Sequence, residues 1–234
     1  MKTEAKPDWA ALEGRSADEL IDAILAENAD KSVCFTCSFQ AEDIVVLDLL
    51  RKRVPDVAIL FLDTGYHFPE TYEFRDRLKD TWNLNLVNVL PRQTVAQQES
   101  AFGILYRDNP TECCKLRKVD PLFEALQRFE IWFTGLRREQ SATRKNLRKV
   151  ELHHLPSGKP LTKVSPLADW SWGQVWEYTG AHKLDYLPQY DQGYTSIGCQ
   201  PCTALPDDPA NPRSGRWGGK KLECGIHTFS EHSQ

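Results

Sequence analysis

The sequence predicts an α/β fold, a mostly parallel sheet with helices on both faces, followed by a mobile C-terminal tail. Short apolar runs rich in β-branched and aromatic residues alternate with amphipathic helical patterns. Strands that alternate with helices build parallel sheets, which need cover on both faces. Beyond residue 202 the periodicity stops in a stretch of Pro, Asp, Gly and Arg. With 234 residues, 41% of them hydrophobic, the chain can bury one substantial core. The expected organisation is one α/β domain over 1–202 and a flexible tail over 203–234.

The elements follow in order. "SADELIDAILAENAD" opens with Ser16 three residues before Glu19, a capping-box spacing, and repeats Leu20, Ile21, Ile24 and Leu25 at helical intervals. Four strand-like runs come next: "KSVCFTCS", "VAILFLD", "LNLVNVL" and "IWFTG". Between them lie helical patterns such as "AEDIVVLDLLRK" and "PETYEFRDRLKD". A further short helix, "WSWGQVWEYTGAHKL", follows "VSPLADW". No run approaches the ~20 apolar residues of a membrane span, and the first residues lack a signal-peptide pattern, so a cytoplasmic protein without a membrane partner is expected.

In a parallel sheet the ligand crevice lies beyond the carboxyl ends of the strands, so the loops leaving each strand carry the information. The first, "SFQAED", presents the Ser38 hydroxyl and backbone N–H groups at the start of a helix, an anion cradle or a simple helix cap. The loop "GLRREQSATRKN" brings Arg137, Arg138 and Arg144 to the same mouth, and Arg213 and Arg216 repeat the theme in the tail. Arginine grips phosphate or sulfate through paired donors.

The net charge is −4, yet residues 113–150 hold ten Lys or Arg against four Asp or Glu, leaving −10 on the rest. Such asymmetry suits a localised anionic ligand better than a nucleic-acid coat, although a solvated helix face carries the same charges.

Seven cysteines without an export signal argue for metal binding or thiol catalysis. Cys113 and Cys114 are adjacent, and a disulfide between sequence neighbours is strained. Together with Cys199 and Cys202 of "CQPC" they offer four soft ligands, enough for one zinc ion or one iron–sulfur cluster. Adjacent ligands are unusual at structural zinc, whereas separate irons of one cluster accept neighbouring thiolates. Lys115, Arg117 and Lys118 would offset the negative charge of a four-thiolate cluster. Cys34 and Cys37, on an apolar strand, read as small buried hydrophobes. Cys224, in "KKLECGIH", stands outside the ligand set, and a thiol on a flexible arm can attack a substrate and present the adduct to another protein.

Taken in order, "SFQAEDIVVLDLL", "FLDTGYHFPETYEF", "CCKLRKVDPL", "WFTGLRREQS", "GCQPCT" and "ECGIH" resemble the assimilatory adenylyl-sulfate reductases, cluster-containing relatives of the phosphoadenylyl-sulfate reductases. The resemblance spans most of the chain. It implies an adenine nucleotide alpha-hydrolase-like fold, related to the PP-loop ATP pyrophosphatases. The first loop departs from the Gly-rich "SGG" version of that superfamily, which argues against ATP hydrolysis.

By the same resemblance, Cys113, Cys114, Cys199 and Cys202 would hold a 4Fe-4S cluster, and Lys118 would link it electrostatically to the substrate. Ser38, Phe39 and Asp43 would belong to the nucleotide loop. Arg144, Arg213, Arg216 and His227 would bind the phosphosulfate end, with Arg137 and Arg138 in support. Cys224 would be the catalytic nucleophile, carrying a sulfonate until thioredoxin or a glutaredoxin-like thiol donor resolves it. The implied substrate is adenosine 5′-phosphosulfate, because relatives acting on the 3′-phosphorylated nucleotide generally lack both cysteine pairs. The sequence leaves room for a homo-oligomer, and a zinc-holding interaction module is the reading from a different class.

Overall fold

The structure is a computed structural model that describes residues 9–208, 211–221 and 223–227. Six strands, β1 (Val33–Thr36), β2 (Ala58–Leu62), β3 (Leu86–Val89), β4 (Ile131–Phe133), β5 (Val150–His154) and β6 (Pro160–Val164), form one sheet in the order β3-β2-β1-β4-β6-β5. Every pairing is parallel except that of β5 with β6. The helices are α1 (Ala17–Glu27), α2 (Ala41–Arg51), α3 (Pro69–Thr81), α4 (Val95–Phe102), α5 (Leu105–Asp108), α6 (Pro110–Cys114), α7 (Asp120–Leu126) and α8 (Trp172–Ala181). The expected α/β class and mostly parallel sheet hold.

Alternation along the strands divides the interior between two faces. Phe35, Ile59, Phe61 and Phe133 face one way and pack with Leu20 of α1, Ile44 of α2, Phe74 of α3 and Val175 of α8. The neighbours Cys34, Leu60 and Trp132 face the other way, onto Leu122 and Leu126 of α7. Truncating a ring such as Phe35 or Trp132 to Ala should cost ~3–5 kcal/mol. The capping box of α1 is present, with Glu19 N–H donating to Ser16 Oγ at 3.3 Å and Ser16 N–H donating to Glu19 Oε2 at 2.9 Å.

The antiparallel hairpin of β5 and β6 was not expected from the sequence. Its strands escape an apolar-run criterion because ionisable residues occupy their buried positions. Lys163 is 2% exposed, and its Nζ lies 3.1 Å from Glu151 Oε2, with buried His153 3.7 Å from the same oxygen. The turn signal "PSGK" between the two strands was the available clue.

Helix α6 runs into α7 through a π-helical turn, Lys115–Val119, immediately after the paired cysteines. π-Helical turns inside helices recur at functional sites. Here the turn carries both Arg117 and Lys118. The expected tail, 203–234, includes 209–210, 222 and 228–234, which lie outside the described residues. Its described parts pack on the domain: Thr195 Oγ1 donates to Pro212 O at 2.6 Å, and Trp217 is 5% exposed.

Candidate active site

Strand order reverses between β1 and β4, and the carboxyl ends of this pair open into a cavity of about 430 Å³. Ser38 and Asp43 border it from the first loop, Arg137 and Arg144 from the loop after β4, and Lys118 from the π-helical turn. The tail closes the remaining side with Arg213, Arg216, Cys224 and His227.

The first loop is built around Asp43. Its Oδ2 accepts from both Ser38 N–H and Ser38 Oγ at 2.6 Å, and Gln40 Nε2 donates to Ser38 Oγ at 3.0 Å. Burial, together with the neighbouring Glu42 charge, pushes the Asp43 carboxyl up to about 7 against the pull of these hydrogen bonds. Phe39 sits between them at φ 61°, an uncommon conformation for a side-chain-bearing residue. Its ring is fully buried, edge-on to Phe61 at 5.7 Å and Phe74 at 6.2 Å, so Phe39 anchors the loop from below and does not border the cavity.

The arginines divide into two groups. Arg137 donates to Trp170 O at 3.2 Å, pairs with Glu139 at 3.0 Å and lies over Trp172 at 5.1 Å. Arg138 turns away from the cavity: it donates to Leu147 O at 2.7 Å and pairs with Glu13 at 2.7 Å, tying the loop to the N-terminal segment. Arg144 is 2.7 Å from Glu223 Oε2 and also reaches Gln140. Burial, with Arg144 nearby, lowers Arg213 to about 10. Burial likewise lowers Arg216, against the cysteine charges that hold it up.

His227 stacks on Trp132 with centroids 5.4 Å apart and planes 15° apart. Burial first, then Lys163 and Arg144, hold it well below the usual histidine range. That direction favours the uncharged form of the ring.

The four ligand candidates converge in a second, smaller pocket against the first. Cys113, Cys114, Cys199 and Cys202 are all buried and line it together. Lys118 and Trp217 line both pockets. The "CQPC" segment is held by a bridge between His67 and Cys199 and by Gln200 N–H donating to Tyr66 O at 2.7 Å. Burial opposes ionisation of Cys199, yet Lys118, a Thr64 hydroxyl 3.2 Å away and Arg216 outweigh it and lower the thiol. Burial and the other thiols push Cys113 up to about 12 and Cys202 up to about 11. Burial also opposes the Lys118 charge, but Cys199, Cys114 and Cys224 raise it.

This donor set consists of sulfur alone, buried beside cations, and is compatible with an iron–sulfur cluster. Among the described residues no three His, Cys, Asp or Glu side chains are placed to hold a single metal ion. Cys34 is fully buried in the sheet and Cys37 is 2% exposed, as expected for small hydrophobes, although Cys37 also reaches the cavity wall.

A sequence model of the phosphoadenosine phosphosulfate reductase domain matches residues 32–205, most of the chain. The chain belongs to this reductase family. The adenosine 5′-phosphosulfate reductase of Geobacillus kaustophilus is 46% identical over 198 residues, 83% of each chain. That of Geobacillus thermodenitrificans is 43% identical over 230 residues, covering 97% of this chain and 96% of its own. In structure, the phosphoadenylyl-sulfate reductase from Candida auris, solved as a phosphate complex, superposes with a TM-score of 0.73 at 24% identity, covering 86% of this chain and 98% of that one. This last likeness speaks to the fold. The chain is an oxidoreductase of the family to which these relatives belong.

Two contributors to the reductase site lay outside the sequence reading. Gln40 holds the opposite wall, its Oε1 accepting from Ile197 N–H at 2.7 Å, and nothing in its local pattern signals this. Gly198 lets Arg216 pass: a Cβ there would lie 2.2 Å from the guanidinium. The "GC" preceding "QPC" carried that signal, since glycine marks close approach.

Proposed function

We propose that this chain reduces adenosine 5′-phosphosulfate to sulfite and AMP in sulfate assimilation. The observation that carries this reading is the position of Cys224. A half-buried tail thiol borders the large cavity and packs against Cys114, Cys199, Cys202 and Trp217. The nucleotide lies over the Ser38–Asp43 loop, and Lys118, Arg213 and Arg216 face its anionic end. Basic side chains aimed into the cavity stabilise charge that develops on sulfonyl and phosphate oxygens.

The Cys224 thiolate attacks the substrate sulfur. A sulfur–sulfur bond forms, the bond from sulfur to the phosphate oxygen breaks, and AMP leaves with the electron pair. The segment that carries Cys224 then presents the S-sulfonated cysteine to a dithiol donor of the thioredoxin or glutaredoxin type. A donor thiolate attacks Cys224 Sγ and releases sulfite, and the second donor thiol frees Cys224, so the donor supplies both electrons and ends as a disulfide. Cys113, Cys114, Cys199 and Cys202 would hold a 4Fe-4S cluster. When bound, it would supply fixed charge beside Lys118, with no change of its own redox state required. Iron and acid-labile sulfide at about four each per chain would support that assignment, whereas one zinc without sulfide would overturn it.

Cys224→Ser tests the central claim. The variant should still bind AMP but form no S-sulfonated protein, as read by intact mass after exposure to substrate without a thiol donor. Sulfite release at the wild-type rate would remove Cys224 from the reaction.

A further inference from the structure

Glu223 takes no part in the chemistry above, yet its carboxylate is enclosed. Arg144 Nη2 donates to Oε2 at 2.7 Å and Arg144 Nε donates to Oε1 at 3.0 Å. Ser141 Oγ at 2.9 Å and Thr143 Oγ1 at 2.8 Å donate to the same Oε1, and Arg213 stands 3.6 Å from Oε2. The Glu223 and Arg144 side chains are each 11% exposed. Two of the three Arg144 nitrogens face Glu223 and the third faces Gln140, so in this conformation Arg144 is committed to the tail.

We propose that Glu223 is a positioning residue for Cys224: its forked pairing with Arg144 and the Ser141–Thr143 hydroxyls fastens the tail so that the neighbouring thiol stands in the cavity wall. The inference rests on the reading of Cys224 as the nucleophile. Consecutive Cα atoms are ~3.8 Å apart, so fixing Glu223 restricts where the Cys224 sulfur can go. Paired charge-assisted hydrogen bonds fix direction as well as distance. A misplacement of ~1 Å at a reacting atom can cost about 10²-fold in rate. Burial works against the Glu223 charge, but Arg144, Arg213 and Thr143 hold its carboxyl down to about 2, so the fastening persists through neutral pH.

The geometry admits one competing role. Glu223 could instead be an internal stand-in for the substrate's anionic group, occupying Arg144 until the nucleotide displaces it. The two roles give opposite results in Glu223→Gln. As a positioning residue, its loss leaves AMP affinity by calorimetry within about twofold, slows S-sulfonation of Cys224 in a single turnover by about 10–100-fold, and raises the rate of Cys224 alkylation by iodoacetamide several-fold, as read by peptide mass. Glu223→Asp, which keeps the charge but shortens the reach, gives intermediate values. Unchanged alkylation and sulfonation rates would overturn the proposal. So would markedly tighter AMP binding at an unchanged sulfonation rate, which is the signature of a stand-in. Adduct formation by Cys224→Ser would defeat the nucleophile reading alone, and the alkylation arm would still report on the fastening.

Discussion

Gly135, at the end of β4, lies so close to Asp43, in the first turn of α2, that a Cβ on the glycine would stand 2.1 Å from Asp43 Oδ1 and 3.3 Å from its backbone nitrogen. The two loops that frame the cavity therefore meet at a contact that only glycine allows. Asp43 has little room to withdraw, because its other oxygen is held by two hydrogen bonds from Ser38 at 2.6 Å. Gly135→Ala should destabilise the fold by about 1–3 kcal/mol, the scale of overpacking. It should also weaken AMP binding by displacing the Ser38–Asp43 loop. Thermal melting and calorimetry check both, and an unaltered AMP affinity would show that the loop is not part of the nucleotide site.

Asp43 sets a pH dependence of stability. Its carboxyl titrates at about 7 when folded because burial and Glu42 disfavour the charge, against about 4 in an unfolded chain. Between those values the folded state holds more protons than the unfolded one. The contribution is therefore present in full below pH ~4 and is lost as pH rises toward 7. Half-buried His67, held down to about 4 by desolvation and by Lys118, acts in the opposite sense over part of the same window, so the comparison must be made between variants. Urea midpoints for wild type and Asp43→Asn should diverge from pH 4 to 7, with the wild type losing ground. Parallel profiles would place the titration of Asp43 elsewhere.

Lys118 borders both pockets, so its charge acts on the substrate cavity and on the cysteine site at once. Lys118→Gln should lower kcat/KM on the order of 10²-fold, the scale of losing one donor aimed at developing charge. The same variant should alter the visible spectrum of the metal-loaded protein. A loss of rate with an unaltered spectrum would confine the role of Lys118 to the substrate.

Trp217 covers the cysteine pocket. It is 5% exposed, packs with Cys114, Cys199 and Cys202, and carries the Arg216 guanidinium at 4.7 Å from its ring centroid. Trp217→Ala should admit solvent and oxygen to the thiols, and iron should be lost in air several-fold faster than from the wild type. Equal iron retention would mean that the buried thiols are protected without the indole.

Much of this was legible in local patterns. Strands β1 to β4 and helices α1, α2, α3 and α8 announced themselves because their apolar residues recur at strand or helix spacing and pack into the core. The hairpin of β5 and β6 did not, because Lys163 pairs with Glu151 inside it beside His153, and a buried ionic group looks like a surface one in a string of letters. Residue type alone grouped Arg138 with Arg137 and Arg144, but neighbours in a loop point in different directions. Arg138 is drawn to Glu13, 125 positions away in the chain.

The sequence by itself determined the fold class, the family, the four thiols suited to one soft site and the isolated Cys224, because hydrophobic period and ligand chemistry are carried by residue type and spacing. Tertiary structure alone decided that Lys118 and Trp217 stand between the two pockets and that Phe39 faces the core. It also decided that Arg144 is spent on Glu223. These are outcomes of direction and proximity between distant segments, set by packing and charge pairing once the chain has closed on itself.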